Sequence, residues 1–203
     1  MPPTGDYENV AEFINSRPKK PNRICILISK LNQSEGASQV ALNQGSVLES
    51  SGYEVEYITY ESNLTDLEHN TTCLDFFDEL FPQKKSQRAI IGLTPIGAFW
   101  LARKLKKFDF IIVHQRILAF PALLAQWIYD VDTIFINHHI QESDQNVEFV
   151  RRIYDRAIQP ILGKMTSRLD HVISVSEYSK NKFEEIFGHS GPVIYNQVSP
   201  DGY

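Results

Sequence analysis

Apolar residues in this chain fall into two kinds of run, one continuous and one periodic. The continuous runs are short: Arg23-Ile-Cys-Ile-Leu-Ile-Ser29, then residues 108–114, 133–137 and 172–175. An apolar run without alternation suits a strand covered on both faces. Residues 53–60 read as a further strand, 88–93 as a short one and 193–195 as the last. The periodic runs lie between them. Ala37, Val40, Ala41, Gln44, Val47 and Leu48 follow helical spacing, with Gly52 as the stop signal. Thr94-Pro95 opens a helix reaching Lys107, since proline suits the first helical turn. Residues 121–129 form another helix. A long stripe follows through Val147, Val150, Tyr154, Ala157, Ile158, Ile161 and Met165, which Pro160 should kink or interrupt. Ser176 caps a last helix with Phe183, Ile186 and Phe187 on one face. At the start, Val10, Phe13 and Ile14 suggest a short amphipathic helix within residues 6–16, joined by a linker. Residues 61–87 are polar and acidic apart from Leu74-Asp-Phe-Phe-Asp-Glu-Leu80, and read as a loop with a short helix.

Alternating apolar strands and amphipathic helices predict an α/β fold, a Rossmann-like parallel sheet with helices on both faces. The expected division is an N-terminal helix and linker over 1–22, the Rossmann-like domain over 23–195, and a hinge beginning at 196–203. In such a sheet, ligands bind beyond the carboxyl ends of the strands, near the point where strand order reverses. That confines the search to residues 30–37, 114–116, 138–144 and 176–177.

Composition narrows the classes further. The chain has 203 residues, 42% of them hydrophobic and 22% charged, which suits one globular domain. A net charge of -5 opposes nucleic-acid binding, which normally needs a basic excess. Two cysteines, Cys25 and Cys73, give neither a disulfide framework nor a CxxC pair. Cys25 sits inside an apolar run and reads as a small buried thiol. The first residues lack the basic and apolar regions of a signal peptide, and no run approaches the ~20 apolar residues that span a bilayer. The expectation is a cytoplasmic protein. Walker, G-x-S-x-G and zinc signatures are absent.

Within the strand-end windows, Asn32-Gln-Ser-Glu-Gly-Ala-Ser38 leads from the first strand into a helix N-terminus, where free N–H groups can hold an anion. Its single Gly36 does not make G-x-G-x-x-G, which opposes a dinucleotide dehydrogenase; a simple turn is the other reading. His114 ends one strand, as a packed histidine or an acceptor contact. Arg116 follows, as a partner for an acidic acceptor or as a solvated charge. His138 and His139 end another strand, and adjacent strand residues point to opposite faces, so one of the two faces a cleft. A metal set of His138, His139, Glu142 and Asp144 is an alternative, without H-E-x-x-H spacing. Asp130-Val-Asp132 falls at the wrong end of the sheet for catalysis and reads as turn chemistry. Arg103-Lys-Leu-Lys-Lys107 complements a helix dipole, or meets an anionic membrane surface; Phe99, Trp100, Leu101 and Leu105 on that helix suit the core.

Several of these passages resemble the N-terminal domain of family 4 glycosyltransferases of the GT-B fold. Val172-Ile-Ser-Val-Ser-Glu-Tyr-Ser-Lys180 followed by Val193-Ile-Tyr-Asn-Gln-Val198 is similar to the passage that closes that domain. Residues 32–38 resemble its "gGae" loop, with Gly36 at the second glycine position and Glu35 replacing the first. Residues 109–114 are similar to its "Dvvhah" strand, and His138 to the histidine of its "v-t-x-H" segment. Asn196-Gln-Val-Ser-Pro-Asp201 corresponds to its "NGVD" hinge, with Gln197 and Ser199 departing.

The resemblance implies one half of a GT-B enzyme, the acceptor-side domain of a retaining glycosyltransferase. The complete enzyme moves a sugar from a nucleotide diphosphate sugar to a glycan or lipid-linked acceptor. It implies no cofactor and no catalytic metal, the nucleotide sugar being a substrate. His138 would be the catalytic residue reaching the donor sugar. Glu35, Gly36, Ala37, His114, Arg116, His139, Ser176 and Glu177 would line the substrate site, although helix capping alone accounts for Ser176. The partner implied is a donor-binding C-terminal domain or second subunit, without which the chain would be inactive; membrane contact would be peripheral, at the inner face. Glu35 and Gln197 favour the alternative, a non-catalytic partner or scaffold in a glycosyltransferase complex.

Overall fold

The structure is a computed structural model that describes residues 8–18, 20–32, 36–62, 70–74, 94–138 and 158–195. In chain order the elements are α1 (Val10–Asn15), β1 (Arg23–Leu27), α2 (Gly36–Ser50), β2 (Glu54–Thr59), β3 (Thr71–Cys73), α3 (Pro95–Leu105), β4 (Phe110–Val113), α4 (Ala119–Tyr129), β5 (Asp132–Asn137), α5 (Gln159–Thr166), β6 (His171–Ser174) and α6 (Glu177–Phe187). A two-residue ladder of Lys30–Leu31 with Glu61–Ser62 stands apart from the main sheet.

The main sheet runs β3-β2-β1-β4-β5-β6, and every described pair is parallel. Strand order therefore reverses between β1 and β4, as in dinucleotide-binding folds. Leu27 stands opposite Val113, and Val113 opposite Phe135, so β1 and β4 end together while β5 runs two residues further, to Asn137.

Side-chain alternation divides the core in two. Ile24 and Ile26 of β1, Phe110 and Ile112 of β4, and Ile134 and Ile136 of β5 pack with Phe13 and Ile14 of α1 and Ala41 and Leu48 of α2. Cys25, Ile111, Val113 and Phe135 face the other way, against Leu101, Ala122 and Phe183 of α3, α4 and α6. Burial pushes the Cys25 thiol well above its ordinary value, which suits an inert packing residue.

Helix ends follow from local chemistry. Asn9 Oδ1 accepts from Glu12 N–H at 3.0 Å, and Thr94 Oγ1 from Gly97 N–H at 3.2 Å with Pro95 in the first turn. Gly188 (φ 77°) closes α6, and Asp130 closes α4 at φ 56°. Asp132 at the start of β5 pairs with Arg17 at 3.1 Å, so the Asp130–Asp132 sequence is indeed turn and strand-start chemistry.

Several expectations change. Residues 61–62 and 71–73, read as loop, form strands; they are short and polar, and lack the apolar signal of buried strands. The run 193–195 makes one parallel bridge, Val193 with Ser174, in place of a full strand. Pro160 lies in the first turn of α5, where a missing N–H costs little; Val147, Val150, Tyr154 and Ala157 fall outside the described residues, as do 75–80 and 88–93. The buried face of α2 is Ser38, Ala41, Gly45 and Leu48, with Ala37 and Val40 half-buried. Gly45 is needed there, because a Cβ would overlap the Tyr57 ring and its hydroxyl. On α3, Leu101 and Leu105 are core, but Phe99 is 49% and Ile96 82% exposed. Lys107 is no free cation: its Nζ donates to both Glu56 oxygens at 2.6 and 2.8 Å, and Glu56 also accepts from Thr72 Oγ1.

Candidate functional site

His114, directly after β4, and His138, directly after β5, meet beyond the strand ends. Strand parity puts both on the α1–α2 side: His114 continues the series Phe110, Ile112, and His138 the series Ile134, Ile136. His114 Nδ1 lies 2.9 Å from His138 Nε2, with ring centroids 5.1 Å apart and planes inclined at 26°. His114 is 2% exposed, and His138 is half-buried. Burial drives the His114 imidazole well below its usual range, helped by the His138 neighbour, and burial lowers His138 to about 4. Both rings are neutral at pH 7, so the contact is a hydrogen bond between one N–H and one bare nitrogen.

The N-terminus of α6 anchors this pair. Ser176 Oγ accepts from Ser179 N–H at 3.1 Å and donates to Ser179 Oγ at 3.0 Å. Ser179 Oγ donates in turn to the His138 carbonyl at 3.0 Å. The cap is thus also a strut to the histidine's own backbone. Glu177 opens the helix, exposed and 3.8 Å from Lys180.

Across the reversal point, Gly36 begins α2, exposed, with nothing within 4 Å of the position a Cβ would take. Ala37 beside it is half-buried. Ser38 ties the helix start to the preceding loop, accepting from Asn32 N–H at 3.1 Å and donating to the Lys30 carbonyl at 3.0 Å. Gly36, His114, His138 and Ser176 all occupy the carboxyl edge of the sheet. Arg116 does not join them: its guanidinium lies 5.9 Å from the Phe187 ring centroid, in the last turn of α6, among the residues packed on the α3–α4 side. Burial and the bond to His138 likewise give His114 a packed role in place of an open contact. Glu35, His139, Glu142, Asp144, Gln197 and Ser199 lie outside the described residues. Among the described residues no three His, Cys, Asp or Glu side chains are grouped to hold a metal.

Three supporting residues went unnoticed in the sequence. Gln115 Oε1 accepts from Ser29 N–H at 2.8 Å, joining the ends of β1 and β4. Buried Asn137 donates through Nδ2 to Ser179 O at 2.9 Å and to Ser174 Oγ at 3.3 Å, while its Oδ1 has no partner among the described residues. Ser179 completes the strut. The available signal was polarity at the ends of otherwise apolar strands, since a buried polar side chain needs a partner.

No curated protein is a significant match to the sequence. Among solved structures the chain is similar to a glycosyltransferase from Rickettsia africae, at 14% identity and TM-score 0.58 over 89% of this chain and 44% of that one. It is similar to HepE of Anabaena in complex with UDP-glucose, at 14% identity and TM-score 0.57 over 87% and 44%. It also resembles sucrose-phosphate synthase from Thermosynechococcus elongatus, at 14% identity and TM-score 0.55 over 86% and 48%. The chain spans less than half the length of each of these three. Such likenesses establish the fold, a Rossmann-like domain of the GT-B kind. A family model, Glycosyltransferase Family 4, matches residues 34–201, most of the chain and all of the strand-end residues discussed from Glu35 onward. The chain belongs to glycosyltransferase family 4.

Proposed function

We propose that this chain is the acceptor-side domain of a retaining glycosyltransferase. In this reading it acts with a donor-binding domain, in the same polypeptide or a second subunit, to move a sugar from a nucleotide diphosphate sugar to a glycan or lipid-linked acceptor. The observation that carries the reading is His138 at the carboxyl edge beside the strand-order reversal, braced by His114 and by Ser176 through Ser179, in a family 4 chain. A neutral imidazole there can donate to a sugar or phosphate oxygen without the cost of desolvating a charge. Gly36 and Ala37 at the start of α2 would bind the anionic part of a substrate, and Glu177 at the start of α6 would contact another part of it. Glu35, His139 and Arg116 are assigned to the substrate site by resemblance alone. The half-length match to the relatives supports a second domain, because a GT-B reaction needs two domains closing over the donor to hold the reacting groups together.

The test is a transfer assay with a panel of nucleotide sugars. The 203-residue chain alone is expected to give no turnover. Joined to a donor-binding partner it should transfer, and His138→Ala should cut kcat by at least about tenfold, the worth of one well-aligned transition-state hydrogen bond, without disturbing assembly. An assembled pair that keeps full activity after His138→Ala would put the scaffold reading ahead.

A further inference from the structure

The bond between the two imidazoles admits two proton arrangements. In the first, His114 Nδ1–H donates to a bare His138 Nε2. A neutral His138 must then carry its proton on Nδ1. In the second, His138 Nε2–H donates to a bare His114 Nδ1, and His114 carries its own proton on Nε2. The two differ in what they leave inside the protein. His114 Nε2 is buried and has no partner among the described residues. The second arrangement therefore strands an N–H donor in the core, whereas the first leaves an unused lone pair. Orphaned buried N–H groups are the rarer of the two in folded proteins. His138 Nδ1 makes no hydrogen bond to a described residue, and its ring is half-buried beyond the carboxyl end of β5.

We infer that His114 is a positioning residue that fixes His138 as the Nδ1–H tautomer, so that the site presents a hydrogen-bond donor, at Nδ1, to an oxygen of the ligand. Two constraints act on the same residue: His114 holds the ring, and Ser179 Oγ holds the carbonyl at 3.0 Å. Ring rotation would break the first while leaving the second, so among the described residues it is His114 that sets which nitrogen faces out. The ligand class that matches a fixed donor is one offering acceptor oxygens, a sugar hydroxyl or a phosphate. That last step rests on the function proposed above; the tautomer does not.

The experiment is long-range proton–nitrogen correlation NMR on the chain labelled at histidine nitrogens, near pH 7.5, with His138→Gln assigning the His138 signals. Both rings should show a protonated Nδ1 and a bare Nε2, the minor tautomer of a free histidine side chain. A His138 protonated at Nε2, or averaging between the two, overturns the proposal. Two variants extend the test. His114→Asn keeps an amide N–H near the Nδ1 position and should preserve the His138 tautomer. His114→Phe fills the ring volume without a donor and should release it. If His114→Phe does not fold, the wild-type spectrum decides alone. In the assembled enzyme, His114→Phe should lower kcat about tenfold with KM little changed, and His114→Asn should restore most of it. The expected tautomer with transfer unaffected by His114→Phe would uphold the lock and overturn the sugar-contact reading, so the two failures are distinguishable.

Discussion

Histidine burial gives this chain an acid-sensitive point that exposed histidines would not. Burial lowers His138 and His171 each to about 4, with Arg17 adding to the effect at His171, and lowers His114 well below its usual value. An unfolded chain protonates these rings near pH 6.5, so between about 6.5 and 4 the unfolded state binds more protons than the folded one. Their contribution is fully present above 6.5. It falls on acidification through that window and, for His138 and His171, is exhausted below about 4. Each ring can contribute a slope of at most about 1.4 kcal/mol per pH unit. Urea midpoints measured from pH 7.5 to 5 should decline, and less steeply in His138→Gln. A midpoint flat across that range would refute neutral burial of the pair. The sequence alone exposed His114 and His138 only as strand-end residues, and gave no sign of His171 at the start of β6. Which of them touched was not legible, because the 2.9 Å contact depends on the register of β5 against β4.

Elements were most legible where both faces are buried. The runs in β1, β4 and β5 read as strands because nothing polar interrupts Ile24–Ile28, Phe110–Val113 or Ile134–Ile136, and β6 reads as one despite Ser174. β3 escaped notice because an edge strand with polar Thr71 and Thr72 carries no such signal. Residues 193–195 looked strand-like, yet Pro192 has no N–H to donate. Its carbonyl accepts from Ser174 N–H at 3.1 Å, and Ile194 N–H returns to the Ser174 carbonyl at 2.9 Å. Helix α2 makes the opposite point: its helical spacing was right, but the buried face was turned. Gly45 weakens a helix by propensity, and its reason is the Tyr57 ring pressed against its backbone. Gly45→Ala should therefore destabilise the fold by up to about 2 kcal/mol, over-packing of about 1–3 kcal/mol offset by about 1 kcal/mol of helix propensity. Adding Tyr57→Phe removes the nearest atom and should recover part of that loss. A denaturation-based double-mutant cycle checks it; strict additivity would mean that Tyr57 is not the obstacle.

At the scale of the whole molecule, α3 presents an outer face that is apolar at its start and basic at its end. Ile96 is 82% and Phe99 49% exposed, while Arg103 and Lys104 are exposed in the last turn. No helix among the described residues is long and apolar enough to cross a membrane. Contact with an anionic lipid surface, the setting in which a lipid-linked acceptor would be met, would combine apolar insertion with charge attraction. Sedimentation with vesicles containing anionic lipid should carry the chain down at low salt. Ile96→Ser with Phe99→Ser should reduce that several-fold, as should neutral vesicles. Equal binding to neutral and anionic vesicles would reject the electrostatic part.

The register between β4 and β5 carries a consequence for anyone transplanting this edge. Val113 stands opposite Phe135, so one further step sets His114 opposite Ile136, and His138 lies two residues beyond. That even offset is what delivers both rings to one layer. Insertion of a single residue after Ile136 would send the imidazole through to the α3–α4 layer, and deletion of one would do the same. A chimera assembled by matching motif letters can thus contain both histidines and still lack the pair. The heritable unit of this site is a parity of chain length, which a comparison of residue identities does not register.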